Sequence, residues 1–271
     1  MCFNMIVINK KNKELNIVEK IVDIYSKVNS HGFSLWGYNY RDDREVLVRT
    51  LDYDEFIEKL RKVRNYSIIH VHLRYASSGI VSVDNVHMWK ITNNDKYYYV
   101  SHNGYVHRYS KSRYVIENGK VYIIVDDSNI YSDTYELVNN NAEFRELIFK
   151  ENFKRLSRLL DDVEFHGVMF LTNPSDLIVI AIGKEVYIYD YGNVLIMSNS
   201  DFTEMLSEWF GKYRKYGFVF NRKIPHTTLN NVIFKYDVEK MKIKKIYRIS
   251  RYVSLLDHSL NYSISLREFE Y

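Results

Sequence analysis

Intrachain disulfides and cysteine-cluster metal sites are ruled out, and flexible linkers are made few, by what this 271-residue chain lacks. It holds one cysteine, two prolines and ten glycines. A single thiol makes no intrachain bridge and agrees with a reducing compartment, and scarce Pro and Gly leave few places for the chain to divide. No stretch reaches the ~18 uninterrupted apolar residues of a membrane span. The first twenty residues also lack the apolar block and small-residue cleavage site of a secretory signal, so the cytoplasm is the expected compartment and no membrane partner is expected. Charge of one sign is missing too. Lys and Arg number 38 against 34 Asp and Glu, a net +4, and with the signs interspersed this is too slight to imply nucleic acid.

What is present is an apolar fraction of 46%, ample for a large core. Apolar, β-branched runs recur at 3–8, 33–38, 67–73, 97–100, 121–125, 167–172, 177–182, 186–191 and 193–198, each short enough for a strand. Helical spacing separates them. Residues 14–28 place Ile17, Ile21, Ile24 and Val28 on one face, and 143–160 and 201–210 repeat such spacing. Strands with helices segregated between them predict an α+β fold, sheet packed on sheet with helices outside. No internal repeat divides the chain, so residues 1–271 are read as one domain, with 212–271 a less patterned C-terminal extension. Within it, KMKIKKIYRISR at 240–251 reads as a solvated basic edge strand, since edge lysines guard against aggregation.

Chemistry concentrates in HVHLRYASSGIVSVDNVH at 70–87, SHNG at 101–104 and SDTYE at 132–136. Strand alternation puts His70, His72 and Arg74 on one face. Arg74 at a strand end suits a ligand carboxylate, Asp133 suits an ammonium, and the Asn103 amide beside the unhindered Gly104 N–H can form an oxyanion hole. This set fits an enzyme that grips an amino acid at its α-carbon and attacks its side-chain carbonyl.

These residues resemble the class II glutamine amidotransferases of the N-terminal nucleophile (Ntn) hydrolases, above all their small stand-alone members. HLRYASSG at 72–79 is similar to the family's His-Thr-Arg-Trp-Ala-Thr-x-Gly, and DNVHM at 84–88 to its Asn-Ala-His-Pro. SHNG resembles His-Asn-Gly, SDTYE resembles Ser-Asp-Thr-Glu, SHGFSLWGY at 30–38 resembles the glycine-rich glutamine loop, and SNSD at 198–201 the family's Ala-Ser-Asp. The resemblance spans about the first two hundred residues, in the family's order. It implies a four-layer αββα sandwich of two mainly antiparallel sheets, no cofactor, and glutamine as substrate, with a separate acceptor or synthase subunit as a possible partner. By the same resemblance Cys2 is the nucleophile once Met1 is removed, and its own α-amine, titrating near ~7.7, is the base. Arg74 and Asp133 grip the glutamine zwitterion, Asn103 and Gly104 hold the oxyanion, and Ser77 and Ser78 line the pocket.

Three positions depart from the pattern: Phe3-Asn4 after the nucleophile, Ser34 where an acidic residue is often seen, and Met88 in place of proline. They leave open a binding or structural module on the same fold with catalysis lost. A second alternative is a metallohydrolase built on His70 and His72, with His87, His102 or an aspartate completing the site.

Overall fold

Short β-branched and aromatic runs pair here into two sheets. The computed structural model describes residues 2–110, 113–117, 120–124, 130–206 and 226–249. The helical pattern at 201–210 and the extension at 212–271 therefore lie in part outside the described residues. The first sheet contains β1 (Phe3–Asn9), β2 (Phe33–Asn39), β3 (Arg44–Thr50) and β4 (Ile68–Leu73). The second begins with β5 (Trp89–Asn93) and β6 (Lys96–Val106), and β7 (Arg113–Glu117) with β8 (Lys120–Ile124) forms a separate hairpin. Further along come β9 (Phe165–Thr172), β10 (Asp176–Ile182), β11 (Val186–Asp190), β12 (Val194–Ser198), β13 (His226–Leu229), β14 (Val232–Asp237) and β15 (Lys242–Arg248). Seven strands run β13-β11-β12-β1-β4-β2-β3 and six run β15-β14-β10-β9-β6-β5. Every pairing in both is antiparallel.

Three apolar layers follow from strand alternation. Helices α1 (Asn16–Ser26) and α2 (Tyr53–Val63) press Val18, Ile21, Phe56 and Leu60 onto Met5, Val7, Leu35 and Val71 of the first sheet. The second sheet is covered by α3 (Asp133–Tyr135), α4 (Ala142–Phe149) and α5 (Phe153–Asp162), whose Phe144, Leu147, Leu156 and Leu160 meet Val100, Met169 and Ile178. Between the sheets lie Ile6, Ile8, Trp36, Ile68, Tyr99, Phe170 and Phe234. This is the αββα sandwich the sequence implied.

Local differences have local causes. The pattern at 143–160 is two helices, because Glu151 takes a positive φ of 51° and the Asn152 side chain restarts the helix by accepting from Arg155 N–H. In α1 the buried face is Ile17, Val18, Ile21 and Val22, continued by Tyr25 against the same core, whereas Ile24 lies off that face and Val28 lies beyond the helix end at Ser26, so both are exposed. Within the basic stretch at 240–251, Lys242–Arg248 form an edge strand, β15, and residues 250 and 251 lie outside the described residues.

The layer between the sheets changes character along its length. At one end Ile6, Ile8, Ile68 and Tyr99 make it apolar. Two residues further along each strand, Asn4, His70 and Ser101 meet: Ser101 Oγ donates to Asn4 Oδ1 at 2.8 Å and lies 2.5 Å from His70 Nε2. The next residues on the same inward faces are Cys2, His72 and Asn103, followed by Arg74.

Candidate active site

Cys2 precedes β1, and its thiol sits against the peptide of Tyr75, just past β4. Tyr75 N–H donates to Sγ at 3.3 Å, and the S–H donates to Tyr75 O at 3.4 Å. The backbone behind the thiol is held by Asn199, whose Oδ1 accepts from Asn4 N–H at 2.6 Å while its Nδ2 donates to Cys2 O at 3.4 Å. Burial pushes the thiol up, against the Tyr75 N–H and the cations of Arg74 and Lys184. A half-buried thiol of raised pKa reacts only if a base takes its proton.

Phe3 explains itself once the faces are known. Its ring points away from Cys2, stacks on Tyr25 at 4.3 Å and meets Phe202 at 5.9 Å under the helices. Ser34 is a buried residue of β2 paired with His72, so it lies within the sheet and takes no acidic role in a loop. Met88 adopts φ 70°, a conformation closed to proline.

Arg74 is 2% exposed and turns into its own loop, donating to the carbonyls of Ser78 at 2.8 Å, Ile80 at 3.2 Å and Gly79 at 3.3 Å. Burial lowers its pKa, while Cys2 and Asp133 act in the opposite direction. The loop is pinned from beyond as well. Asn85 Nδ2 donates to Ile80 O and Ile130 O, and its Oδ1 accepts from Ser132 N–H. Gly79, at φ 71°, lies so close to this strap that a Cβ would meet Ser132 N at 2.7 Å. Ser78 Oγ accepts from Asp133 N–H at 3.3 Å, and Ser77 is half-buried on the same loop.

Asp133 opens α3 beneath the Ser132 cap and accepts from Val106 N–H at 2.7 Å and Thr134 N–H at 2.8 Å. Burial raises its carboxyl, opposed by those two N–H groups and by Arg74. Asn103, 2% exposed, has a buried Oδ1 with no hydrogen-bond partner, a polar atom that favours a ligand group. Gly104 opposes Gly167 so closely that a Cβ would lie 1.9 Å from His166 O.

Sequence reasoning picked out Cys2, Arg74, Ser77, Ser78, Asn103, Gly104 and Asp133, and the structure puts them on three adjoining pieces: the β1–β4 end, the 74–80 loop, and β6 with α3. It missed Lys184, Asn199 and Thr134. Lys184, in the β10–β11 turn, is drawn down to about 8 by burial, with Cys2 opposing this, and nothing in its local sequence marks it. Asn199 stood within a quoted motif without a role. The histidines face other duties than a metal: His70 Nδ1 lies 2.8 Å from Thr172 Oγ1, and His102 Nδ1 lies 2.9 Å from Thr134 Oγ1. Among the described residues no group of three or more His, Cys, Asp or Glu is placed to hold a metal ion.

No family model matches the sequence, and no curated protein matches it. Solved structures do. Glutamine phosphoribosylpyrophosphate amidotransferase from B. subtilis, complexed with ADP and GMP, aligns with TM-score 0.51 at 13% identity, over 93% of this chain and 50% of its own. The allosteric regulatory enzyme of purine biosynthesis aligns with TM-score 0.51 at 10% identity, again over 93% and 50%. Both share this chain's fold. This chain spans about half the length of these two structures, and at such identities the likeness is one of fold. A glutamine aminotransferase class-II domain protein from Silicibacter pomeroyi aligns with TM-score 0.48 at 10% identity, over 92% of this chain and 100% of its own. Among the described residues no helix is long and apolar enough to cross a membrane.

Proposed function

We propose that the chain hydrolyses glutamine to glutamate and ammonia through a thioester on Cys2, and passes the ammonia to an acceptor on a separate subunit. With Met1 removed, the α-amine of Cys2 takes the thiol proton and Sγ attacks the side-chain carbonyl. The tetrahedral oxyanion is met by the Asn103 amide and Gly104 N–H, ammonia leaves with that proton, and water then cleaves the thioester to glutamate. Arg74 and Asp133 neutralise the two charges of the bound zwitterion. The observation that carries this reading is the arrangement of the only thiol and a buried aspartate within electrostatic reach of the buried Arg74, beside a buried asparagine whose Oδ1 has no partner.

The test uses protein that begins at Cys2. It is expected to release glutamate from glutamine and to take one adduct of a glutamine-mimicking electrophile, both lost in Cys2→Ala. Arg74→Ala and Asp133→Ala are each expected to raise KM for glutamine by at least about 30-fold, because an unpaired ligand charge is left in a buried site. Processed protein with neither turnover nor adduct would overturn the proposal. One observation favours a second reading, a binding module without catalysis: three donations from Arg74 go to the carbonyls of its own loop. Unaltered affinity for glutamine in Arg74→Ala, with no turnover in the parent, would establish it.

A further inference from the structure

β5 leaves the side of β6 where Trp89 pairs with Val100, and Met88 N–H makes the last backbone bond there, to Val100 O at 2.9 Å. Beyond that point the backbone groups of every second residue of β6 face the vacated edge. Asp133 takes one of them, Val106 N–H, and two histidine rings take the His102 pair. His102 N–H donates to His87 Nδ1 at 3.1 Å, and His72 Nε2–H donates to His102 O at 3.2 Å. The same alternation directs Gly104 N–H to this edge, between the two histidines and Asp133, while the Asn103 side chain points inward with Ser101.

The two rings come from different places. His72 is in β4 of the opposite sheet and His87 follows the short turn at Val83–Asn85, yet they stack at 3.9 Å and 17°. Both are buried. Each bond fixes a tautomer, since His87 accepts at Nδ1 and so carries its proton on Nε2, while His72 donates from Nε2 and so is bare at Nδ1. His72 Nδ1 is in fact buried without a partner. The His102 ring continues the chain, with Nε2–H donating to His166 O at 3.2 Å and Nδ1 accepting from Thr134 beside Asp133.

We propose that His72 and His87 are positioning residues, a stacked neutral pair that grips the His102 peptide by both its N–H and its C=O and thereby sets the oxyanion donors of Asn103 and Gly104. The inference rests on the glutaminase reading for its catalytic consequence and on ring geometry alone for the clamp. Burial holds both rings neutral, which the grip requires of His87, since only a neutral ring accepts at Nδ1.

The test separates the two. Long-range 15N–1H spectra of histidine-labelled protein are expected to show both rings as the neutral Nε2–H tautomer near neutral pH. A protonated Nδ1 on His87, or an Nε2 without a proton on His72, overturns the clamp whatever the activity, and a wild type with this tautomer pair but no turnover overturns only the glutaminase reading. In active protein, His87→Leu and His72→Leu are expected to lower kcat for glutamine by about 100-fold or more, the effect of losing one oxyanion donor, with KM within about threefold. His87→Asn keeps an acceptor near the Nδ1 place and His72→Gln a donor near the Nε2 place, so both are expected to recover most of kcat, whereas His87→Gln and His72→Asn are not. Matched and mismatched amides that behave alike, at equal thermal stability, would show the histidines to be packing only.

Discussion

Cys2, Asn103, Gly104 and Asp133 stood out in the sequence because they fall in stretches that resemble one family's motifs and offer a thiol, an amide, a residue without Cβ and a carboxylate. Lys184 was not legible, because a lysine in a Gly-Lys-Glu turn looks like any solvated lysine until burial is known. Its environment makes it testable. Burial draws its ammonium down to about 8, and it and the Cys2 thiol favour each other's charged forms. Lys184→Met is therefore expected to move the pH midpoint of Cys2 alkylation upward by roughly one unit, the usual size for loss of one nearby opposite charge, while Lys184→Arg stays near wild type. Alkylation rates measured across pH decide this, and an unmoved midpoint in Lys184→Met would remove the lysine from the site.

At the scale of elements, period and punctuation succeeded or failed for physical reasons. Strands such as β1, β9, β10 and β12 declare themselves because both of their faces are buried and the run is apolar throughout. β3 and α2 went unassigned: Arg44–Thr50 is an edge strand with much of its surface exposed, and the capping signal at Asp52, which accepts from Asp54 and Glu55 N–H, is made of charges that also suit a loop. β6 was read only as far as residue 100 because SHNG looks like a turn, and pairing with β9 overrides that preference through Val106. The turn into β5 shows the same conflict. Met88 stands where the resemblance places proline, but its φ of 70° and its N–H bond to Val100 O are both denied to proline. Met88→Pro is expected to lose about 3 kcal/mol or more of folding free energy by denaturant titration. A variant as stable as wild type would mean that the 86–89 backbone adopts the other conformation readily.

For the whole molecule, a polar layer buried between two sheets makes stability depend on pH in a direction the composition does not reveal. Nine histidines in a chain of net charge +4 suggest little, but His70, His72, His87 and His102 all lie inside, where burial lowers each of them, His72 and His102 to about 3. Unfolded, each titrates near ~6.5. The unfolded chain therefore binds more protons than the fold below that pH, so stability is complete above about pH 6.5 and declines as pH falls from there toward about 3. At pH 5 each of His72 and His102 would contribute about 2 kcal/mol of loss relative to about pH 7.5, with His70 and His87 adding in the same direction. A mesophilic domain holds only about 5–15 kcal/mol in all, so the effect is large against the whole. Denaturant midpoints taken at about pH 7.5 and about pH 5 are expected to differ by an amount equivalent to about 4 kcal/mol or more, with net proton uptake on unfolding at the lower pH. Equal midpoints would mean that the buried rings admit protons without unfolding, and a charged His87, a donor at both nitrogens, could not accept from the His102 N–H.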